Sequence, residues 1–244
     1  MMRQWLENKR VYAFFALALT GTLGFLFLVT WHWRDSFSGG VRNGIFLIGL
    51  FVGGAVFAGT LFRNFGNKAK GMWLISIPAS PFQKVSVGII YGIVLYLVTY
   101  IATFYSVEGT FMWLVNDDTI HIKHTDLLKN DFYAFLYTYI NLQLFILLGS
   151  VYFKKSAFLK TILLLFTWFF LVTNANNYLL VAMTGEKNID ASIPLDYFQF
   201  SRNGENVYVY LSDQVRMIVN ISMHFVLPII LYYIIYQRFR ETEI

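Results

Sequence analysis

Read along its length, the chain alternates long apolar runs with shorter polar connections, and the runs set the architecture. Six stand out, roughly Val11–Trp31, Gly44–Phe62, Val85–Tyr105, Ala134–Phe153, Ala157–Met183 and Met217–Tyr236. A helix needs about 20 apolar residues to cross a hydrocarbon core about 30 Å thick, and these runs are of that order. The pattern predicts six transmembrane helices and an all-α membrane protein. No stretch reads as a soluble domain, a repeat or a low-complexity tract, so residues 1–244 form one transmembrane domain. The first run follows the basic start "MMRQWLENKR" and ends in "WHWRD". It is longer than the apolar core of a signal peptide and lacks a small-residue cleavage site, so it is expected to stay as the first helix.

Composition agrees with the pattern. The 244 residues are 57% hydrophobic and only 14% charged, against about 25% charged in soluble chains. There is no cysteine, which excludes disulfides, thiolate nucleophiles and Cys-ligated metals. The net charge of +5 does not point to nucleic acid, because the basic residues fall where topology signals belong. Arg3, Lys9, Arg10, Arg63, Lys68, Lys70, Lys84, Lys154, Lys155, Lys160, Arg238 and Arg240 lie on one side of the predicted spans. Only Arg34, Arg42, Lys123, Lys129, Lys187 and Arg202 lie on the other, with Arg216 at its edge. The positive-inside rule therefore predicts both termini and the 63–84 connection in the cytoplasm. It makes the protein an integral one, expected in a bacterial inner membrane.

Within the spans two residue classes matter. Small residues permit close backbone approach in lipid, and Gly49-x-x-x-Gly53 and Gly88-x-x-x-Gly92 are candidate helix-packing faces. Amides in hydrocarbon are costly, and Asn141, Asn174, Asn176, Asn177 and Asn220 mark a possible substrate path. The plainer alternative is interhelical bonding, joined to Gln143, Ser222 and His224, or a break of the fifth helix near Asn174. No Asp, Glu, Lys or Arg stands in the middle of a span, which argues against a proton-coupled pump.

There is no G-x-S-x-G, no H-E-x-x-H and no G-x-x-x-x-G-K-[ST]. The chain therefore reads as a non-enzyme without a cofactor of its own, and any ATP that drives it binds another polypeptide. The connection "NDDTIHIKHTD" brings Asp117, Asp118, His121, His124 and Asp126 close in sequence. Such clusters are frequent in solvated loops, so no metal site is assigned.

The most informative stretch is "GMWLISIPASPFQK", Gly71 to Lys84. It is apolar yet too short to span, and lysines flank it, which suits an interfacial element. Pro78 disfavours helix at Ile77. Ser80 followed by Pro81 is a helix start: a side-chain cap, then a residue whose missing donor costs nothing there. From Pro81 a helix can run through Phe82, Gln83 and Lys84 into the third span.

Placed between the second and third of six spans, this stretch resembles the cytoplasmic loop of type-2 ABC exporter permeases, closest to divergent members with an "LPAS-x-x-EK" signature. Pro78, Ala79, Ser80 and Lys84 match it, Ile77 replaces its Leu, and Gln83 replaces its Glu. The resemblance implies that Pro78, Ala79, Ser80, Pro81, Phe82, Gln83 and Lys84 belong to a coupling element that docks on a separate ABC ATPase subunit holding ATP and Mg. It further implies pairing with a second permease copy, an interfacial segment at residues 1–10, and outer re-entrant helices within 184–216. A mostly apolar bundle would suit a hydrophobic, lipid-like or peptide substrate. The alternative function is a non-transporting scaffold or assembly subunit of an envelope complex.

Overall fold

The computed structural model describes residues 2–32, 39–61, 80–115, 132–153, 156–185, 189–193, 197–202, 205–210 and 212–243. Helix α1 is Met2–His32. Helix α2 covers 39–61, with a wide, π-helical turn at Gly49–Gly53 between α-helical Gly39–Ile48 and Gly54–Leu61. Helix α3 covers 81–115 and carries a second wide turn at Ile90–Leu95. Helices α4 and α5 are Phe132–Tyr152 and Ala157–Thr184. Helix α6 covers 213–243, with a third wide turn at Ser222–Val226. Among the described residues these six helices are long and apolar enough to cross a membrane, so the chain is an integral membrane protein.

Residues 2–10, expected as an interfacial segment, are helical and continuous with α1, before the apolar span Ala13–His32. Three readings of the sequence change. Helix α3 runs to Val115, ten residues beyond its apolar run, so Glu108 belongs to a span and not to a connection. Helix α5 does not break near Asn174, whose Nδ2 donates back to the Phe170 carbonyl (2.7 Å). It ends instead at Gly185, where φ of 71° suits a residue without a Cβ. The 184–216 region holds no re-entrant helices among its described residues. It forms a three-stranded antiparallel sheet in the order β1-β2-β3: Ile189–Ile193, Tyr197–Arg202 and Glu205–Tyr210. The last two strands pair from Tyr197 with Tyr210 to Arg202 with Glu205, leaving only Asn203 and Gly204 between them. Asn-Gly between β-prone runs is a strong signal for a two-residue hairpin.

The bundle is uneven. The spans in α2, α3 and α4 bury 44%, 39% and 39% of their apolar windows, while those in α1, α5 and α6 bury 11% each. Helices α2–α4 are therefore the centre. Phe46, Ala55, Ala58, Tyr96, Tyr100, Phe104, Tyr139, Ile146 and Leu147 are buried there, joined by Phe27 of α1 and Ile235 and Phe239 of α6. Helix α5 turns Leu163, Phe166, Trp168, Phe169 and Phe170 outward, which is the composition of a lipid-facing surface.

Tyrosines join the central helices. Tyr96, Tyr100 and Phe104 recur every fourth residue on α3; the first two rings stack and the third is tilted, with centroids 5.8 and 6.3 Å apart. Two glycines of α2 make room for them. A Cβ on Gly49 would lie 2.9 Å from the Tyr100 ring, and one on Gly53 would meet the Tyr96 hydroxyl. The phenols come close enough to donate to backbone, Tyr96 to the Gly49 carbonyl (2.9 Å) and Tyr100 to that of Phe46 (2.9 Å). Gly92 of α3 faces Leu61 and Leu147 in the same way, and Gly88 is buried. The glycine faces thus receive large side chains from within the chain.

Candidate functional site

The coupling element of the sequence reading is described from Ser80 onward; Pro78 and Ala79, with residues 63–77, lie outside the described residues. Ser80 is extended (φ −65°, ψ 151°) and its Oγ accepts from the Gln83 N–H (3.3 Å). The Gln83 Oε1 accepts in return from the Ser80 N–H (3.1 Å), which completes a capping box. Pro81 occupies the first turn, where no donor is required. Gln83 therefore does locally what a glutamate would do in this box, without its charge. The start of α3 is fixed against a neighbour as well as capped. Phe82 lies edge-on to Tyr232 (5.9 Å) and Tyr236 (6.4 Å) of α6 while remaining 56% exposed. One turn further, Ser86 and Tyr232 share a hydroxyl hydrogen bond (3.1 Å). The result is an exposed aromatic on a rigid helix start, clamped to the last helix of the chain.

The five asparagines do not converge. Asn141 on α4 donates to the Met223 carbonyl of α6 (3.1 Å), and Asn174 bonds within α5. Asn176 and Asn177 also lie on α5, while Asn220 is exposed on α6 and its carbonyl pairs with His224 Nδ1 (2.7 Å). Helix α4 separates the two groups through its own contacts with α5 and α6. A cleft of about 540 Å³ opens elsewhere, between Thr20, Gly24 and Leu28 of α1 and the Ala102–Leu114 face of α3. No asparagine lines it. Its hydroxyls bond their own helices, Thr20 to Ala16, Thr103 to Thr99, Ser106 to Ala102 and Thr110 to Ser106. The surface it offers is therefore largely apolar.

Two features were not visible in the sequence. Arg42 and Glu108, assigned to polar connections, form an ion pair between α2 and α3 at 3.3 Å, with side chains only 4% and 1% exposed. The partners of buried Gln143, itself legible as a polar residue of the fourth span, are the second. With its amide oriented to serve both groups, it donates to the Gly54 carbonyl (3.0 Å) and accepts from the Ala55 N–H (3.3 Å). Pro228 carried a signal that could have been read. Its ring clashes with the carbonyl four residues back in a regular α-helix, and that residue, His224, lies inside the wide turn Ser222–Val226.

Among the described residues no three His, Asp or Glu side chains gather as metal ligands, and the 117–126 cluster lies outside them. Comparison of the chain with family models, with curated proteins and with solved structures gave no match.

Proposed function

We propose that the chain is the permease subunit of an ATP-driven type-2 ABC exporter. Both termini and the 63–84 connection would face the cytoplasm, in line with the bias of basic residues. A separate ABC ATPase would bind ATP and Mg and push on the start of α3, and two permease copies would enclose the path of an apolar or lipid-like substrate or peptide. The observation that carries this reading is the construction of that start. A coupling element transmits displacement only if little slack separates it from the span. Here the Ser80–Gln83 box and Pro81 join the element to α3 directly. Phe82 adds an aromatic contact to α6, so a push would reach two helices at once.

A specific observation favours a second reading. Asn141 bonds across to α6, Asn174 bonds within α5, and the five asparagines do not gather on one surface, as in a scaffold that moves nothing. One experiment separates the two. Purified under mild detergent, a permease retains a P-loop ATPase, and Phe82→Asp weakens that association and uncouples ATP hydrolysis from substrate movement. Absence of any ATPase from the purified protein, together with unchanged function in Phe82→Asp, would refute the permease and leave the scaffold.

A further inference from the structure

Among the described residues three helices carry a wide turn, and α4 serves all three from consecutive alternate positions. Tyr139 donates to the Ile93 carbonyl inside the wide turn of α3 (3.1 Å). Asn141 donates to the Met223 carbonyl inside that of α6 (3.1 Å). Gln143 takes the Gly54 carbonyl and the Ala55 N–H, where the wide turn of α2 returns to α-helix. A helix advances 1.5 Å and 100° per residue. The first and third of these side chains therefore share a face, toward α2 and α3, and the second points the other way, toward α6. The same rise confines all three anchor points to a slab about 6 Å thick. Positions 139–143 lie near the middle of α4, so the slab sits near mid-depth of the bundle.

Wide turns are where helices bend, because the regular ladder of backbone bonds is interrupted there. In α6 the interruption is reinforced by Pro228, which has no N–H to give. Side-chain donors in lipid have no water to replace them if they let go, so each bond opposes opening of the turn it serves. We propose that the wide turns of α2, α3 and α6 are hinges in one mid-depth layer, and that α4 is the fixed post whose Tyr139, Asn141 and Gln143 hold them closed. The three side chains are positioning residues, and the device stands whether the chain works as a permease or a scaffold.

The chain holds no cysteine, so paired labels can be introduced cleanly. Spin labels at exposed Phe82 and Trp113 bracket the hinge of α3, about 46 Å apart along a straight helix. Labels at Met217 and Arg240 bracket that of α6, about 35 Å apart. In nanodiscs, Tyr139→Phe is expected to broaden the 82–113 distance distribution and leave 217–240 unchanged. Asn141→Leu is expected to do the reverse. Amide exchange should rise about fivefold in the hinge released and nowhere else, the opening equilibrium lost with one net hydrogen bond. Deletion of Val94 removes the extra residue from the wide turn of α3. It should keep the 82–113 distribution narrow even in the Tyr139→Phe background. The proposal is overturned if both substitutions lower the unfolding temperature without broadening either distribution, since the side chains are then packing alone. It is equally overturned if either variant broadens both distributions, or if the Val94 deletion leaves the broadening in place.

Discussion

Replacing Glu108 by leucine while Arg42 remains should be among the most damaging single changes in this chain. The two side chains are almost wholly buried between α2 and α3 and meet at 3.3 Å. At an effective dielectric of about 20, unit charges at that separation attract by about 5 kcal/mol. Much of that attraction offsets the desolvation of both ions, so the intact pair adds little net stability. Its members are not independent, however. Leucine at 108 takes the Glu108 carboxylate away from a buried guanidinium, which should cost about 3–5 kcal/mol. The double variant Arg42→Met/Glu108→Leu removes both charges at once and should fall within about 1–2 kcal/mol of the parent. A double-mutant cycle in mild detergent, followed by fluorescence of the six tryptophans, reads these quantities as shifts in unfolding midpoint. Arg42→Met alone takes the guanidinium away from the buried Glu108 carboxylate and should cost as much, so the cycle should return a coupling energy of about 4–9 kcal/mol. A Glu108→Leu variant within 1 kcal/mol of the parent by that estimate, or a double variant as unstable as the sum of the singles, would refute the pairing argument.

Two further outcomes follow from packing and capping. Gly54→Ala places a Cβ against the Gln143 amide and the rings of Tyr96 and Tyr139, so it should cost about 1–3 kcal/mol by overpacking in the same unfolding assay. Ser80→Ala should cost about 1 kcal/mol by loss of the cap. Gln83→Glu should retain the box and gain a few tenths of a kcal/mol from a carboxylate in the first turn; amide exchange of residues 82–85 reads both changes.

Hydropathy exposed the spans because lipid demands long apolar runs whatever a helix packs against. The end of α3 shows where that signal stops. "SVEGT" lowers hydropathy after Tyr105, yet the helix continues because Arg42, 66 positions away, neutralises Glu108. A run-length argument cannot see such a partner. Asn141 and Gln143 were legible as polar residues in a span, but their roles depend on which backbone groups the wide turns present, and those turns arise from packing. The helix start at Ser80–Pro81 was legible because its chemistry is local: cap, proline and the reciprocal Gln83 are contiguous. The sheet was missed although "YFQFSRNGENVYVY" carries β-prone runs on both sides of an Asn-Gly pair. The expectation of re-entrant helices drew on resemblance, and the local signal pointed elsewhere.

The contact between Gly49 and Tyr100 bears on how relatives of this chain can be recognised. The hydroxyl that bonds α2 occupies the space where a side chain at position 49 would begin. A larger residue at 49 is therefore tolerated only where position 100 has given up its ring, and a lost ring at 100 relaxes the demand for glycine. Gly53 and Tyr96 impose the same condition one turn along. Divergent sequences should thus exchange these residues in pairs, so that two coupled columns, 49 with 100 and 53 with 96, mark common descent after overall similarity has faded.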